Sequence, residues 1–145
     1  MRSEPPRRSD YKAFRLITTR WMDNDVYGHV NNVVYYSFFD TAVSGWLVDN
    51  GLVDYRNGET IGLCVDSQCS YFAPVSFPDT VTAGIRVDRI GSSSVTYAVG
   101  IFKDDDEQAA AAGTFTHVYV DEQTRRPRSL TESARTTLRG IAAEG

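Results

Sequence analysis

The sequence predicts an α+β fold in which one long helix lies on an antiparallel, meander-like sheet. Three observations predict it. Residues 31–50 carry an unbroken helical pattern, and the stretch from Thr60 to Val120 divides into alternating segments joined by turn residues. The chain of 145 residues, 41% hydrophobic, also has the size of one domain with a real core.

The elements follow in order. The polar opening MRSEPPRRSD lacks the apolar run of a signal peptide and reads as a disordered tail over residues 1–10, leaving 11–145 as a single domain. KAFRLITTRWM (12–22) alternates as a strand, with Phe14, Leu16 and Thr18 sharing a face. An acidic loop precedes the helix, whose apolar face is Tyr35, Phe38, Phe39, Ala42, Val43, Trp46 and Leu47; Ser37, Asp40, Thr41 and Ser44 form a polar stripe. Asn31 or Asn32 is the expected N-cap, and Asn50-Gly51 the stop. Gly45, in the helix interior, costs about 1 kcal/mol against alanine and so points to a close backbone approach. Asn57-Gly58 marks a turn. TIGLCVDSQCSYFAPVSF begins an alternating strand with Ile61, Leu63 and Val65 on one side, and Pro74 and Pro78 make its end an edge or a bulge. VTAGIRVDRI points Val81, Ala83, Ile85 and Val87 inward, and Gly91 with three serines turns the chain into Val95, Tyr97, Val99 and Ile101. KDDDEQ reads as a solvated hairpin tip, and AAAAGTFTHVYVD closes the sheet with Phe115, His117 and Tyr119 on one face. A linker and a short C-terminal helix, capped by Ser129 or Thr131, complete the chain. One sheet with one helix leaves much surface uncovered, so a second copy is the expected partner.

Composition narrows the function classes. A net charge of −4 without a basic stripe excludes a nucleic-acid partner, and no segment has the length to cross a bilayer. Cys64 and Cys69 would face opposite sides of one strand, so they read as buried reduced thiols of a cytoplasmic protein. With two histidines far apart, no metal-ligand spacing is present, and no metal or cofactor is expected.

The stretch WMDNDVYGHVNNVVYY concentrates the chemistry. A helix N-terminus carries unpaired N–H groups and partial positive charge, which can polarise a carbonyl. A carboxylate on the loop turned by Gly28 can lie beside the same point, giving a base or nucleophile next to an oxyanion hole. An acid-rich loop before a helix can also be no more than a cap.

The run D-x-D-x-x-G-H-V-N-N-x-x-Y, Asp23 to Tyr35, resembles the signature of the 4-hydroxybenzoyl-CoA-type acyl-CoA thioesterases of the hotdog fold. YYSFFDTA, SYFAPVSFPDTV, RIGSSSVTY and THVYVDEQTRRP agree in order, so the likeness spans roughly residues 11–140. The resemblance implies a five- or six-stranded antiparallel sheet wrapped around the helix, in a homodimer or a dimer-of-dimers tetramer with sites at the subunit interface. It implies hydrolysis of an acyl-CoA thioester without a metal or bound cofactor. Alternatives are a thioesterase acting on acyl-carrier-protein and a non-catalytic acyl-binding module.

By position, Asp25 is the implied catalytic carboxylate, as nucleophile or general base, and the Asn32 backbone N–H the implied oxyanion donor. Asp23 reads as structural. His29 is given a supporting role, although distantly similar plant acyl-carrier-protein thioesterases assign histidine and asparagine to catalysis. Some members carry a histidine where this chain has Asn32, so any histidine-dependent step would fall to His29. Gly28, Asn31 and Tyr35 are substrate-binding candidates; for Asn31 capping is the simpler reading. Ser67 and Gln68, from a second subunit, are candidates for placing water or substrate. Members that hold the CoA phosphates carry Arg or Lys where this chain reads GSSS, so Arg89, Arg126 or Arg128 are the candidates for that contact. His117 reads as structural.

Overall fold

The computed structural model describes residues 4–54 and 58–143. Five strands, β1 (Ala13–Thr18), β2 (Thr60–Tyr71), β3 (Thr80–Ile90), β4 (Ser94–Lys103) and β5 (Ala111–Asp121), form one antiparallel sheet in the order β1-β3-β4-β5-β2. Helix α1 (Val34–Asp49) lies across one face, and α2 (Glu132–Arg139) packs near the end of β3. The turn expected at Asn57-Gly58 begins outside the described residues.

The core is the layer between sheet and helix. Period-two alternation turns Val81, Ala83, Ile85 and Val87 of β3, and Val95, Tyr97, Val99 and Ile101 of β4, toward α1, all buried. The helix answers with Tyr35, Phe38, Phe39, Ala42, Val43 and Leu47. The outer face carries a small second cluster, Tyr11, Ala98, Phe102 and Ala109. Gly84 and Gly100 stand opposite each other on β3 and β4 and form the flat seat of the Tyr11 ring. A Cβ on Gly84 would come within 2.8 Å of that ring, and one on Gly100 within 2.6 Å.

Five expectations change. Arg7–Asp10 is not a free tail. Arg8–Asp10 forms a 3-10 turn, and the Arg8 guanidinium donates to the carbonyls of Asp104 and Asp106, each at 2.7 Å, while stacking over Phe102. The KDDDEQ turn thus presents carbonyl acceptors to a distant arginine as well as charges to solvent. Phe14 and Leu16 do share a face, but it is the exposed one; Ala13, Arg15 and Ile17 point to the helix. Arg15 faces inward because its guanidinium pairs with Asp49 at 2.7 Å, at the far end of α1. That guanidinium, rather than backbone, is what approaches Gly45, where a Cβ would collide with it.

Helix α1 starts later than expected. Asn31 Oδ1 accepts from Val33 N at 3.0 Å and its carbonyl accepts from Val34 N at 2.9 Å, so Asn31 closes a turn that precedes the helix, and Val33 is the N-cap without a side-chain bond. The Asn50-Gly51 stop holds, with Gly51 at φ 70°. For α2 the cap is Thr131, whose hydroxyl accepts from Ala134 N at 3.1 Å. Finally, Cys64 is exposed and Cys69 only half-buried, both as free thiols, because β2 is an edge strand that pairs, among the described residues, with β5 alone. Among the described residues no helix is long and apolar enough to cross a membrane.

Candidate active site

The loop before α1 is built on Asp23. This side chain is 1% exposed, accepts from the Arg20 backbone at 2.8 Å and from its guanidinium at 2.9 and 3.1 Å, while its carbonyl accepts from Asn31 N at 2.9 Å. A carboxylate buried this way needs its charge and lone pairs matched, and they are. Asp23 holds the base of the loop.

Asp25 opens the next turn. Its Oδ1 accepts from Tyr27 N at 2.9 Å, its carbonyl from Gly28 N at 3.0 Å, and its own N–H donates to the carbonyl of His29 at 2.9 Å. The chain reverses at Gly28, whose φ of 82° suits glycine. Asp25 and His29 are therefore backbone partners across one tight turn, with the Asp25 carboxylate half-buried and Oδ2 making no hydrogen bond among the described residues. A second layer fixes the turn to the segment after β2: Val30 N donates to the Val75 carbonyl at 2.7 Å, Ser76 Oγ to the Gly28 carbonyl at 2.8 Å, and Phe77 N to Asn24 Oδ1 at 3.0 Å.

The amides at the approach to α1 can be assigned one by one. Val30 N is bonded to Val75, Asn31 N to Asp23, Val33 N to the Asn31 side chain, and Val34 N to the Asn31 carbonyl. In this run only Asn32 N makes no hydrogen bond among the described residues. Its carbonyl, by contrast, accepts from the Tyr71 hydroxyl at 2.9 Å. One N–H at the helix entrance is thus left available, and the peptide that follows it is held by Tyr71.

Asn32 borders a cleft of about 280 Å³ whose other walls are His29, Val30, Tyr35, Tyr71, Phe72, Ala73 and Pro74. Burial pushes the Tyr35 hydroxyl up to about 12, and also raises Tyr71, so both rings stay neutral. The two rings meet edge to face at 5.1 Å. Of the sequence candidates, the structure brings His29, Asn32 and Tyr35 to this cleft. Asp25, Gly28 and Asn31 sit in the supporting loop, outside the lining. Ser67 and Gln68 are exposed in the middle of β2, with Gln68 donating to Ser70 Oγ at 2.8 Å, and Arg89 is exposed near the end of β3. Arg128 pairs with Glu59 at 3.2 Å and Asp121 at 3.5 Å. The wall Tyr71–Pro74 was not singled out from sequence, although the SYFAP block that supplies it was. Among the described residues, no three His, Cys, Asp or Glu side chains are grouped so as to hold a metal.

His117 is buried at 5% exposure on β5, among the rings of Tyr97, Phe115 and Tyr119. Its Nδ1 lies 3.2 Å from the Tyr119 hydroxyl, which lies 2.8 Å from that of Tyr97. Desolvation lowers the pKa of His117 from 6.5, with Asp40 acting weakly the other way. In the window below 6.5 the unfolded chain binds a proton here that the folded chain refuses. Stability from this group is complete above that window and lost as pH falls through it. Urea midpoints measured across this range should fall with acidification more steeply for the native protein than for His117→Phe; equal slopes would contradict a buried neutral imidazole.

Comparison with known proteins gives the fold its relatives. The PA5185 protein from Pseudomonas aeruginosa strain PAO1 has a crystal structure matching with TM-score 0.94 and 47% identity, over 97% of this chain and 99% of that one. The PA2801 protein of the same species, provisionally described as a thioesterase, matches with TM-score 0.80 and 27% identity over 86% of this chain and 95% of that one. Slr0204 from Synechocystis, a 1,4-dihydroxy-2-naphthoyl-CoA thioesterase, shares the fold at TM-score 0.77 and 18% identity, over 86% and 93% of the two chains. These likenesses establish the hotdog fold. The YsmA protein of Bacillus subtilis, itself uncharacterized, is 21% identical over 131 residues, 90% of this chain and 88% of that one. A family model for the thioesterase-like superfamily, broader than the 4-hydroxybenzoyl-CoA type, matches residues 19–138 and supports thioester hydrolysis as the activity. The chain belongs to the thioesterase-like superfamily.

Proposed function

We propose that the protein hydrolyses an acyl-CoA thioester to the free acid and CoA. The observation that carries this reading is the Asn32 N–H at the entrance to α1, without a hydrogen bond among the described residues, on a residue that borders a cleft beside a loop that carries an ionisable carboxylate. The thioester carbonyl accepts from Asn32 N, which draws charge onto the oxygen. Asp25 Oδ2 either attacks the carbonyl carbon or takes a proton from the water that attacks it. In the first route it expels the CoA thiolate and forms a mixed anhydride, which water then cleaves to the acid and the free carboxylate. In the second it passes the water's proton to the departing thiolate. In both, the water supplies the oxygen of the acid and the proton of the CoA thiol. His29, tied to Asp25 through the backbone, positions the turn. Tyr35 and Tyr71 supply the apolar, neutral wall against which the acyl group packs.

The reading also takes the chain to be a homodimer or a dimer of dimers. What supports this is the edge strand β2, which exposes Leu63, Val65, Ser67 and Gln68 and has a sheet neighbour on one side only. A second copy across that edge would carry its Ser67 and Gln68 toward the neighbouring site. Binding of CoA phosphates falls to Arg89 or Arg126, Arg128 being engaged by two carboxylates. A cytoplasmic location fits a CoA substrate.

Thiol release from a panel of acyl-CoA esters of varied length and ring content tests the reading. Turnover of at least one member at a rate well above the uncatalysed reaction is expected. Inertness toward all of them, with turnover of acyl-carrier-protein thioesters, would move the substrate to the carrier protein; inertness toward both would favour a non-catalytic acyl-binding module.

A further inference from the structure

The two walls of the cleft come from distant parts of the chain. His29, Val30 and Asn32 make the wall at the helix entrance, and the segment from Tyr71 to Pro74, where β2 ends, makes the other. Two hydrogen bonds tie them together. Val30 N donates to the Val75 carbonyl at 2.7 Å, and the Tyr71 hydroxyl donates to the Asn32 carbonyl at 2.9 Å. The first runs between main chains, so its strength does not depend on which side chains stand there. The second rests on one phenol, 39 residues away in sequence.

That phenol is held for the task. Its ring meets Tyr35 edge to face at 5.1 Å, and Tyr35, 3% exposed, belongs to the core. A hydroxyl has one proton to give, and here the Asn32 carbonyl takes it. Tyr71 is thereby spent as a donor, and its route to a substrate carbonyl runs through Asn32.

Asn32 carries its N–H and its carbonyl on opposite sides of one Cα, in two rigid peptide planes. The plane that contains the N–H is held by its other end, the Asn31 carbonyl, which accepts from Val34 N at 2.9 Å. The plane that follows is held by Tyr71. With both planes fixed, the N–H has one direction. Without the hydroxyl, one of the two is free to turn, and a displacement of about 1 Å at a site of reaction can cost about a hundredfold.

We propose that Tyr71 is a positioning residue of this site: by holding the Asn32 carbonyl, its hydroxyl sets the direction in which the Asn32 N–H meets the substrate carbonyl. The proposal rests on the thioesterase reading, in which that N–H faces the developing oxyanion.

Tyr71→Phe keeps the ring, the cleft wall and the contact with Tyr35, and removes only the hydroxyl. On the fastest ester of the acyl-CoA panel, kcat should fall about tenfold while KM stays within about twofold. Melting temperature should stay near native, because water can take the hydroxyl's place at Asn32, an exposed residue. In an Asn32→Pro background, where the N–H is gone, Tyr71→Phe should change kcat by less than about twofold. A native kcat for Tyr71→Phe, or an undiminished loss in the proline background, would overturn the positioning role and leave the thioesterase reading standing.

A readout free of turnover separates the two. With asparagine labelled with nitrogen-15, the Asn32 amide is followed as the protein is titrated with octanoyl carba(dethia)-CoA, a ketone in which a methylene replaces the thioester sulfur. The amide proton should move downfield in the native protein, and clearly less in Tyr71→Phe. Equal displacements would overturn the positioning role alone. No displacement in the native protein would overturn both the role and the reading on which it rests.

Discussion

Asp25→Asn is expected to lower turnover of a good acyl-CoA substrate by roughly a thousandfold, the range in which a positioned carboxylate contributes as base or nucleophile. The substitution isolates charge from structure. An asparagine Oδ1 still accepts from Tyr27 N, and the backbone bonds to Gly28 and His29 do not involve the side chain. The loop therefore survives, and melting temperature and sedimentation should match the native protein. Asp23→Asn is the control with the opposite profile: that carboxylate is 1% exposed and receives the Arg20 guanidinium, so its loss should appear first in stability. His29→Ala should cost about tenfold, by loosening the turn. A loss at His29 as large as at Asp25, with folding intact, would give the imidazole a chemical role. Near-normal turnover by Asp25→Asn would remove the mechanism altogether.

The difference between Asp23 and Asp25 shows what a sequence can carry. Both lie in one motif, and the motif alone separates them by position. The physical separation comes from Arg20, close in sequence and so legible, and from Asn31, whose N–H reaches back to the Asp23 carbonyl. The same locality made β3, β4 and β5 readable. Each has one face against α1, so alternation of Val81, Ala83, Ile85 and Val87 follows burial residue by residue. The apolar face of α1 was readable for the same reason, Tyr35 to Leu47 being one stripe.

What alternation does not encode is which side of an edge strand is covered. Phe14 and Leu16 look like a core face, yet β1 turns Arg15 inward because Asp49, at the far end of α1, waits for its guanidinium. Burial of Cys64 failed on β2 for the related reason that an edge strand has half the neighbours. Contacts between distant segments were out of reach entirely. Arg8 is held by carbonyls of a turn nearly a hundred residues on, and nothing in the pattern of either segment announces the other. The cleft wall at Tyr71–Pro74 belongs to this class, since the bond from the Tyr71 hydroxyl to the Asn32 carbonyl joins two blocks that local reading treats apart.

Asn32→Pro should lower turnover by about a hundredfold or more while changing stability little, and Asn32→Ala should leave turnover near native. The pair separates backbone from side chain. Proline lacks the N–H, and at this residue the N–H has no partner among the described residues to lose. The position lies just ahead of the helix, where a φ near −65° is tolerated, so the usual helix-breaking cost of about 3 kcal/mol does not apply. Loss of one preorganised donor to a developing oxyanion is worth a factor of about 10² to 10³ in turnover, and it should appear in kcat rather than KM, because the bond strengthens as charge gathers on the oxygen. Alanine keeps the N–H and removes only the amide side chain, to which no hydrogen bond is assigned. If alanine is as damaging as proline, the side chain of Asn32 rather than the amide acts on the substrate. If both are near native, the carbonyl is held elsewhere, and the one unpaired N–H at the helix entrance has no part in the reaction.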